Sequence, residues 1–328
     1  MTLFLSEDDV ERLLSVEDAL REVRRVFELL AGDGTANYPR QRGGFDDALL
    51  NVMWAVSRDL GVMGAKVYPV VRTDVSQSST STFLLYSMPD GRLEAVLEAE
   101  LLGQRRTAAA SAVATQALAR EDAETLTVIG TGWQAAGQVP AVAAVMPNLR
   151  RLIVVGRTTE AGLRFAQAMQ PSLSVSVEVA TTPEEAVHAA DVLVTATGSY
   201  TPVIDGSWLR DGVHINAVGA NYATKRELDR ETISRADVIV VDSREVAALE
   251  CGDLLLNAGV GAVDSTVELA AVLMGLAQGR TDAGQITLFE SHGLAVQDLA
   301  CARHILERAS AEGLGARLPA RALHAEPA

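Results

Sequence analysis

The segment Thr125-Leu-Thr-Val-Ile-Gly130-Thr-Gly132-Trp-Gln-Ala135 is an apolar strand pattern that runs straight into a two-glycine turn and then into helix-forming residues. Gly130 and Gly132 allow a tight turn whose backbone N–H groups approach a pyrophosphate closely. The following helix N-terminus stabilises that charge, and small Ala135 lets the helix pack on the strand. The glycine spacing alone is a weak signal, and a merely tight structural turn is the alternative. Its context is stronger, because short apolar runs recur at 151–156, 174–180, 191–197, 212–219 and 237–242, with helical segments between the first four. Such alternation predicts an α/β, Rossmann-type doubly wound parallel sheet.

The second of these runs, RLIVV, ends at Gly156-Arg157-Thr158 without an acidic residue. An NAD site usually places Asp or Glu there for the ribose hydroxyls, whereas arginine suits a 2′-phosphate. The expectation is NADP(H), with NAD(H) as the alternative; in the competing reading Arg157 stacks on adenine or faces solvent.

Ahead of this region the pattern differs. Residues 6–31 open with Ser6 as an N-cap and place apolar residues at helical spacings. Alternating runs at 49–56, 62–71, 82–87 and 92–97 predict a mostly antiparallel sheet, and 102–119 is an alanine-rich helix. A final strand at 285–290 precedes a helix at 294–311 that returns to the first domain. The chain thus reads as a smaller α+β substrate-binding and dimerisation domain, 1–118 with 295–328, and a nucleotide domain at 119–294. The Ala/Pro-rich tail after Leu318 reads as frayed.

Composition narrows the partners. With 28 basic and 43 acidic residues the net charge is −15, so nucleic acid and anionic membrane surfaces are poor partners. Acidic residues follow the N-terminus by Glu7 with no basic region before them, and no apolar run is long enough to span a bilayer. Cys251 and Cys301 belong to no metal-binding or disulfide pattern, so no metal is expected and free thiols in the cytoplasm are.

Three cationic positions in the first domain keep unusual company: Arg40 and Arg42 in YPRQR, Lys66 in GVMGAKVY, and Arg106 in RRTAAAS. On a strand Lys66 shares a face with Gly64 and Tyr68, and on a helix Arg105 and Arg106 diverge by about 100°, so only one faces inward. Cations among small residues suggest an anion clamp that orients an α-amino or α-imino acid toward a nicotinamide. Ordinary surface salt bridges are the competing reading.

The chain resembles the ornithine cyclodeaminase/mu-crystallin family at GxK (64–66), RTAAAS (106–111), GTGWQA (130–135), TATGSYTPVI (195–204), VGAN..TKREL (218–228), ADVIVVDS (236–243) and ITLFESHGLAVQD (286–298). The resemblance implies a homodimer whose first domain forms the interface and substrate site and whose Rossmann-type domain holds NAD(P)(H). It assigns Lys66 and Arg106, with Arg42 or Arg40, to the substrate carboxylate. It adds Thr131, Gln134, Thr158, Thr197, Gly198 and Ser291 to the cofactor contacts, and sets His292 beside the nicotinamide, where packing is the simpler role. Asn221 stands where cyclodeaminases carry an acid/base aspartate, and an amide takes up no proton at neutral pH. Asn221 then orients a substrate nitrogen, or is simply a turn residue; Lys66 is a charge partner, or an acid if burial lowers its pKa. Tyr68 reads as core, Asp242 as structural or near the cofactor, and His188 and His214 carry no chemistry. The expected activity is an NADP(H)-dependent oxidoreductase interconverting a small α-imino or cyclic ketimine acid and an α-amino acid. The alternatives are an ammonia-releasing cyclodeaminase-type lyase and a non-catalytic, nucleotide-dependent small-ligand binding protein.

Overall fold

Alternating burial along each strand lays down the first sheet. The computed structural model describes residues 2–72, 77–78 and 80–319, and its contacts divide the chain into two units. Met1–Asp18, Asp33–Gly103 and Ala295–Ala328 form the first, Ala19–Gly32 and Gln104–Leu294 the second. In the first unit Thr35–Gly44, Ala48–Ser57, Val62–Arg72, Thr82–Ser87 and Leu93–Glu98 pair antiparallel in succession. Thr2–Leu5 extends the sheet parallel to Leu93–Glu98 and is flanked by antiparallel Ala316–Leu318. The helix Ala295–Glu312 buries one face on this sheet through Val296, Leu299 and Ile305.

Three of these strands, Thr2–Leu5, Thr35–Gly44 and Ala316–Leu318, are absent from the sequence reading. Thr35–Gly44, TANYPRQRGG, is polar because it is an edge, and Pro39 costs nothing where one side has no ladder to donate to. The helical opening expected over 6–31 consists of two helices, Glu7–Leu13 and Val16–Leu30. Ser6 and Asp9 form a reciprocal capping box on the first, and Ser15 Oγ accepts from Asp18 N at 3.0 Å to restart the second. The tail from residue 320 lies outside the described residues.

The second unit is an eight-stranded, all-parallel sheet. Its order is Ser176–Val179, Arg151–Val155, Thr125–Ile129, Val192–Thr195, His214–Ala217, Thr287–Glu290, Val238–Val241 and Val267–Glu268. Near-continuous apolar strands are what a sheet covered on both faces requires. The division between units falls at Gly103/Gln104, inside the helix Glu100–Leu118, where the sequence reading put it at 118/119. Buried polar contacts explain the difference: Asn216 Nδ2 donates to Thr115 Oγ1 at 2.9 Å, and Thr287 Oγ1 donates to Leu118 O at 3.1 Å. Both fix the second half of the helix on the parallel sheet. Beside them His214, fully buried with Nδ1 3.0 Å from Thr287 Oγ1, is held neutral. Desolvation first, then the Arg280 charge, lowers its pKa to about 3.

At the opposite side of the same unit, Asp253 Oδ1 accepts the backbone N–H groups of Glu227 and Leu228 at 2.7 and 2.8 Å. Burial raises the Asp253 carboxyl to about 8, and raises Glu290 and the Cys251 thiol as well, so this dry cluster holds protons. The folded-state pKa of Asp253 lies above its ordinary 3.8, so its protonated form favours the fold. That contribution is complete below about pH 4 and is lost as pH climbs toward 8, totalling roughly 5 kcal/mol at most. Asp253→Asn keeps the Oδ1 acceptor and removes the titration. Urea denaturation between pH 4 and 8 should show a flatter stability profile for the variant; parallel profiles overturn the assignment.

Candidate functional site

A cavity of about 820 Å³ opens beyond the carboxyl ends of Thr125–Ile129, Arg151–Val155, Ser176–Val179 and Val192–Thr195. This is the crevice at which an open parallel sheet binds ligands. The glycine turn forms its floor. Gly130 has φ +122°, and a Cβ there would stand 2.3 Å from Ala196 O, so only glycine fits. Gly132 is the N-cap of Trp133–Ala143 with no side-chain cap; a Cβ on it, or on Gly198, would meet nothing within 4 Å. Open space before an uncapped helix N-terminus fits the pyrophosphate of a dinucleotide.

Thr131, Arg157, Thr158 and Thr197 also line the cavity. Thr158 doubles as an N-cap, accepting from Ala161 N at 3.2 Å. Arg157 is exposed, and it is the one charged side chain among the described lining residues. Three other residues assigned to the cofactor lie outside that lining. Ala135 is fully buried in the core between helix and strand, Gln134 is half-buried, and Ser291 is buried with its N–H on Ala217 O at 2.9 Å.

The neighbouring strands His214–Ala217 and Thr287–Glu290 end at the same edge of the sheet. After the first comes the half-buried Asn221; after the second comes the turn Ser291-His292-Gly293. Asp242 Oδ2 accepts both His292 N and Gly293 N at 2.8 Å, and its Oδ1 lies 3.1 Å from His292 Nδ1. Asp242 therefore shapes this turn, and His292 is fixed by it. Gly293, at φ +80°, leaves room for Arg106: a Cβ there would be 2.5 Å from the Arg106 Nη1. Arg106 is 5% exposed while Arg105 is only half-buried, as the helical phase of the two requires. A guanidinium is thus buried at the edge that also holds the cavity.

In the first unit Lys66 lies on the buried face of Val62–Arg72 with Gly64. Its Nζ is 3.4 Å from Asp298 Oδ1 on the helix Ala295–Glu312 and 5.9 Å from the Tyr68 ring centre. Gly103 provides the room, since a Cβ there would be 2.3 Å from Nζ. Arg40 is buried where the strand register shifts between Tyr38 and Gln41, and Arg42 is half-buried opposite Asn51.

Two buried acids escaped the sequence reading. Asp298, the last residue of the ITLFESHGLAVQD match, pairs with Lys66 across 232 positions. Glu227, in TKREL, takes Thr197 N at 2.6 Å, Gly219 N at 2.7 Å and Thr195 Oγ1 at 2.9 Å. Charged residues inside otherwise matching motifs, with no role assigned, are the signal that marks both.

Comparison with known proteins agrees with this fold. The family model described as ornithine cyclodeaminase/mu-crystallin family matches residues 1–313. A Bacillus cereus Delta(1)-pyrroline-2-carboxylate reductase is 36% identical over 273 residues, covering 81% of this chain and 83% of that protein. The structure of Thermococcus litoralis Delta(1)-pyrroline-2-carboxylate reductase with NADH and L-proline superposes with a TM-score of 0.91 at 31% identity, covering 96% of this chain and all of that one. An archaeal alanine dehydrogenase dimer with bound NAD gives 0.90 at 30% identity, over 97% of this chain and 99% of that one. With its family model spanning nearly the whole sequence, the chain belongs to the ornithine cyclodeaminase/mu-crystallin family.

Proposed function

We propose that the protein is an NADP(H)-dependent reductase interconverting a small α-imino or cyclic ketimine acid and the corresponding α-amino acid. The chain is an oxidoreductase of imino and amino acids, in keeping with relatives named as reductases and dehydrogenases of such compounds. The observation that carries the reading is Arg106, a buried guanidinium seated on Gly293 at the sheet edge that opens the nucleotide cavity.

Bound nicotinamide would supply the hydride. The chain's residues supply position and charge: Gly130–Gly132 and the helix behind them receive the pyrophosphate, and Arg106 takes the substrate carboxylate through parallel N–H donors. Lys66, Arg40 and Arg42 are assigned to the same anion from the first unit, with Asp298 holding the Lys66 ammonium in place. A protonated imine already carries its proton, so hydride delivery to carbon completes the amine, and a hydrogen bond from Asn221 suffices to orient the nitrogen. An ammonia-releasing lyase needs a group that cycles protons, and Asn221 does not titrate. Arg157 and the hydroxyls of Thr158 and Thr181 favour a 2′-phosphate, hence NADP(H) over the NAD(H) of the structural relatives. Among the described residues no helix is long and apolar enough to cross a membrane. Two buried free thiols, Cys251 and Cys301, suit a reducing cytoplasm. We assign the edge strand Thr35–Gly44 and its hairpin, with exposed Tyr38, Phe45 and Leu50, to a homodimer contact.

Four measurements test this reading. With Δ1-pyrroline-2-carboxylate and NADPH, absorbance at 340 nm should fall. Arg106→Ala should lower kcat/KM roughly 30-fold or more, as expected from losing about 2 kcal/mol or more of a desolvated charge pair, with nucleotide Kd unchanged. Ammonia release without nucleotide turnover, or an unaltered variant, overturns the assignment. Arg157→Asp should turn a preference for NADPH into one for NADH, and an unchanged ratio of kcat/KM values refutes the ribose reading. Light scattering should report a dimer that Phe45→Asp with Leu50→Asp converts to monomer; a monomeric parent protein refutes the contact.

A further inference from the structure

Parallel strands lose their mutual hydrogen bonds where the chain leaves the sheet, and two such exits flank the proposed reaction centre. The last rung between Val192–Thr195 and its neighbour His214–Ala217 is Val218 N to Thr195 O at 2.9 Å. Beyond it one loop runs through Thr197, Gly198 and Ser199, which line the nucleotide cavity, and the other through Gly219 toward Asn221. No direct rung joins them there, yet both face a buried Glu227. Its Oε1 accepts Thr197 N, and its Oε2 accepts Gly219 N and Thr195 Oγ1. The approach needs glycine at 219, where a Cβ would stand 2.6 Å from the Glu227 Cδ and 2.2 Å from Thr197 O.

Glu227 is itself immobilised. Its N–H is held by Asp253 Oδ1, and its own carbonyl accepts Val203 N, from another cavity-lining residue, at 2.7 Å. Three donors aimed at one carboxyl group fix its orientation. Desolvation raises its pKa, and those same donors, pulling it down, offset only part of the rise.

We propose that Glu227 is the positioning residue of the active site, a buried carboxylate that locks the cofactor-facing loop 197–199 to the loop carrying Asn221 and so sets the substrate nitrogen against the nicotinamide. Glu227 acts through both loops rather than on the reacting atoms. The proposal rests on the reductase reading for its second half only, because the cofactor-facing half concerns the nucleotide cavity alone.

Glu227→Gln keeps the size of the side chain but turns an NH2 toward N–H and O–H donors, so at least one loop is released. Thr195→Val removes one donor and leaves the carboxylate in place, which serves if the glutamine variant does not fold. Three readouts separate positioning from mere stability: Kd for NADPH by its own fluorescence without imino acid, amide hydrogen exchange in 195–199 and 218–221, and kcat. Glu227→Gln should raise Kd about 10-fold, speed exchange in both loops selectively and lower kcat at least 10-fold; Thr195→Val should shift Kd and kcat 2- to 5-fold in the same direction. In a cycle with Asn221→Ala the losses in kcat should be non-additive. Should the parent protein reduce no imine, binding and exchange still decide the cofactor half. A folded Glu227→Gln with unchanged Kd, exchange and kcat overturns the proposal, as does a fall in Tm with those three intact, or, if only Thr195→Val folds, unchanged values in it.

Discussion

Backbone N–H groups that leave an all-parallel sheet have no ladder partner, and in a buried edge each must find an acceptor. This chain meets that requirement with the carboxyl oxygens of acidic side chains. Glu227 takes Thr197 and Gly219, Asp242 takes His292 and Gly293, and Asp253 takes Glu227 and Leu228. At the amino ends of the strands Asp191 Oδ2 repeats the device on Glu124 and Thr125, with Arg120 at 2.9 Å from its Oδ1. Each acid fixes a pair of amides and thereby the direction in which a loop leaves. The cavity, the Asn221 loop and the seat of Arg106 all lie beyond those exits, so the geometry of the candidate site is set by acceptors that themselves line none of the cavity.

Local rules made much of this visible in advance. The strand, glycine turn and helix at 125–135 have one low-strain arrangement, and φ +122° at Gly130 is the conformation that a non-glycine residue would resist. Helical phase alone distinguishes buried Arg106 from Arg105. Edges and long-range pairs were illegible for a physical reason. Thr35–Gly44 is polar because an edge has to be, so hydrophobic alternation cannot mark it, and Thr2–Leu5 is too short to show a period. The break at Leu14-Ser15 hides inside a helical pattern, since Ser15 reads equally as a helix residue or a cap. Lys66–Asp298 and the Glu227 contacts join positions from 8 to 232 apart, and nothing in either local segment announces the partner.

The same acids carry a cost that explains the titration pattern. N–H donors pull a carboxyl pKa down, but burial outweighs them at Glu227 and at Asp253, and it raises Glu290, beside Cys251 and near Asp253, as well. Backbone amides therefore moderate the cost of burying these acids without cancelling it. The loops after strands 192–195 and 214–217 are held by Glu227, on which three donors converge.

Lys66 poses the complementary question, because a buried ammonium already paired with a buried Asp298 is electrically satisfied before any ligand arrives. For a plain anion receptor that pairing would be wasteful. For the proposed reductase, whose substrate and product are both carboxylates, it would be useful: the pair fixes the ammonium's direction, so an incoming anion would meet an ordered donor with little further entropy to lose. On the same reading Asp298 would also keep the cation from holding that anion too strongly, since part of its field is already neutralised. Arg106, seated on Gly293 by the turn that Asp242 shapes, then gains in importance, as its planar donors can distinguish a carboxylate from other anions where a half-satisfied ammonium cannot. On the proposed reading, orientation of the substrate carboxylate would therefore fall to the Arg106 guanidinium.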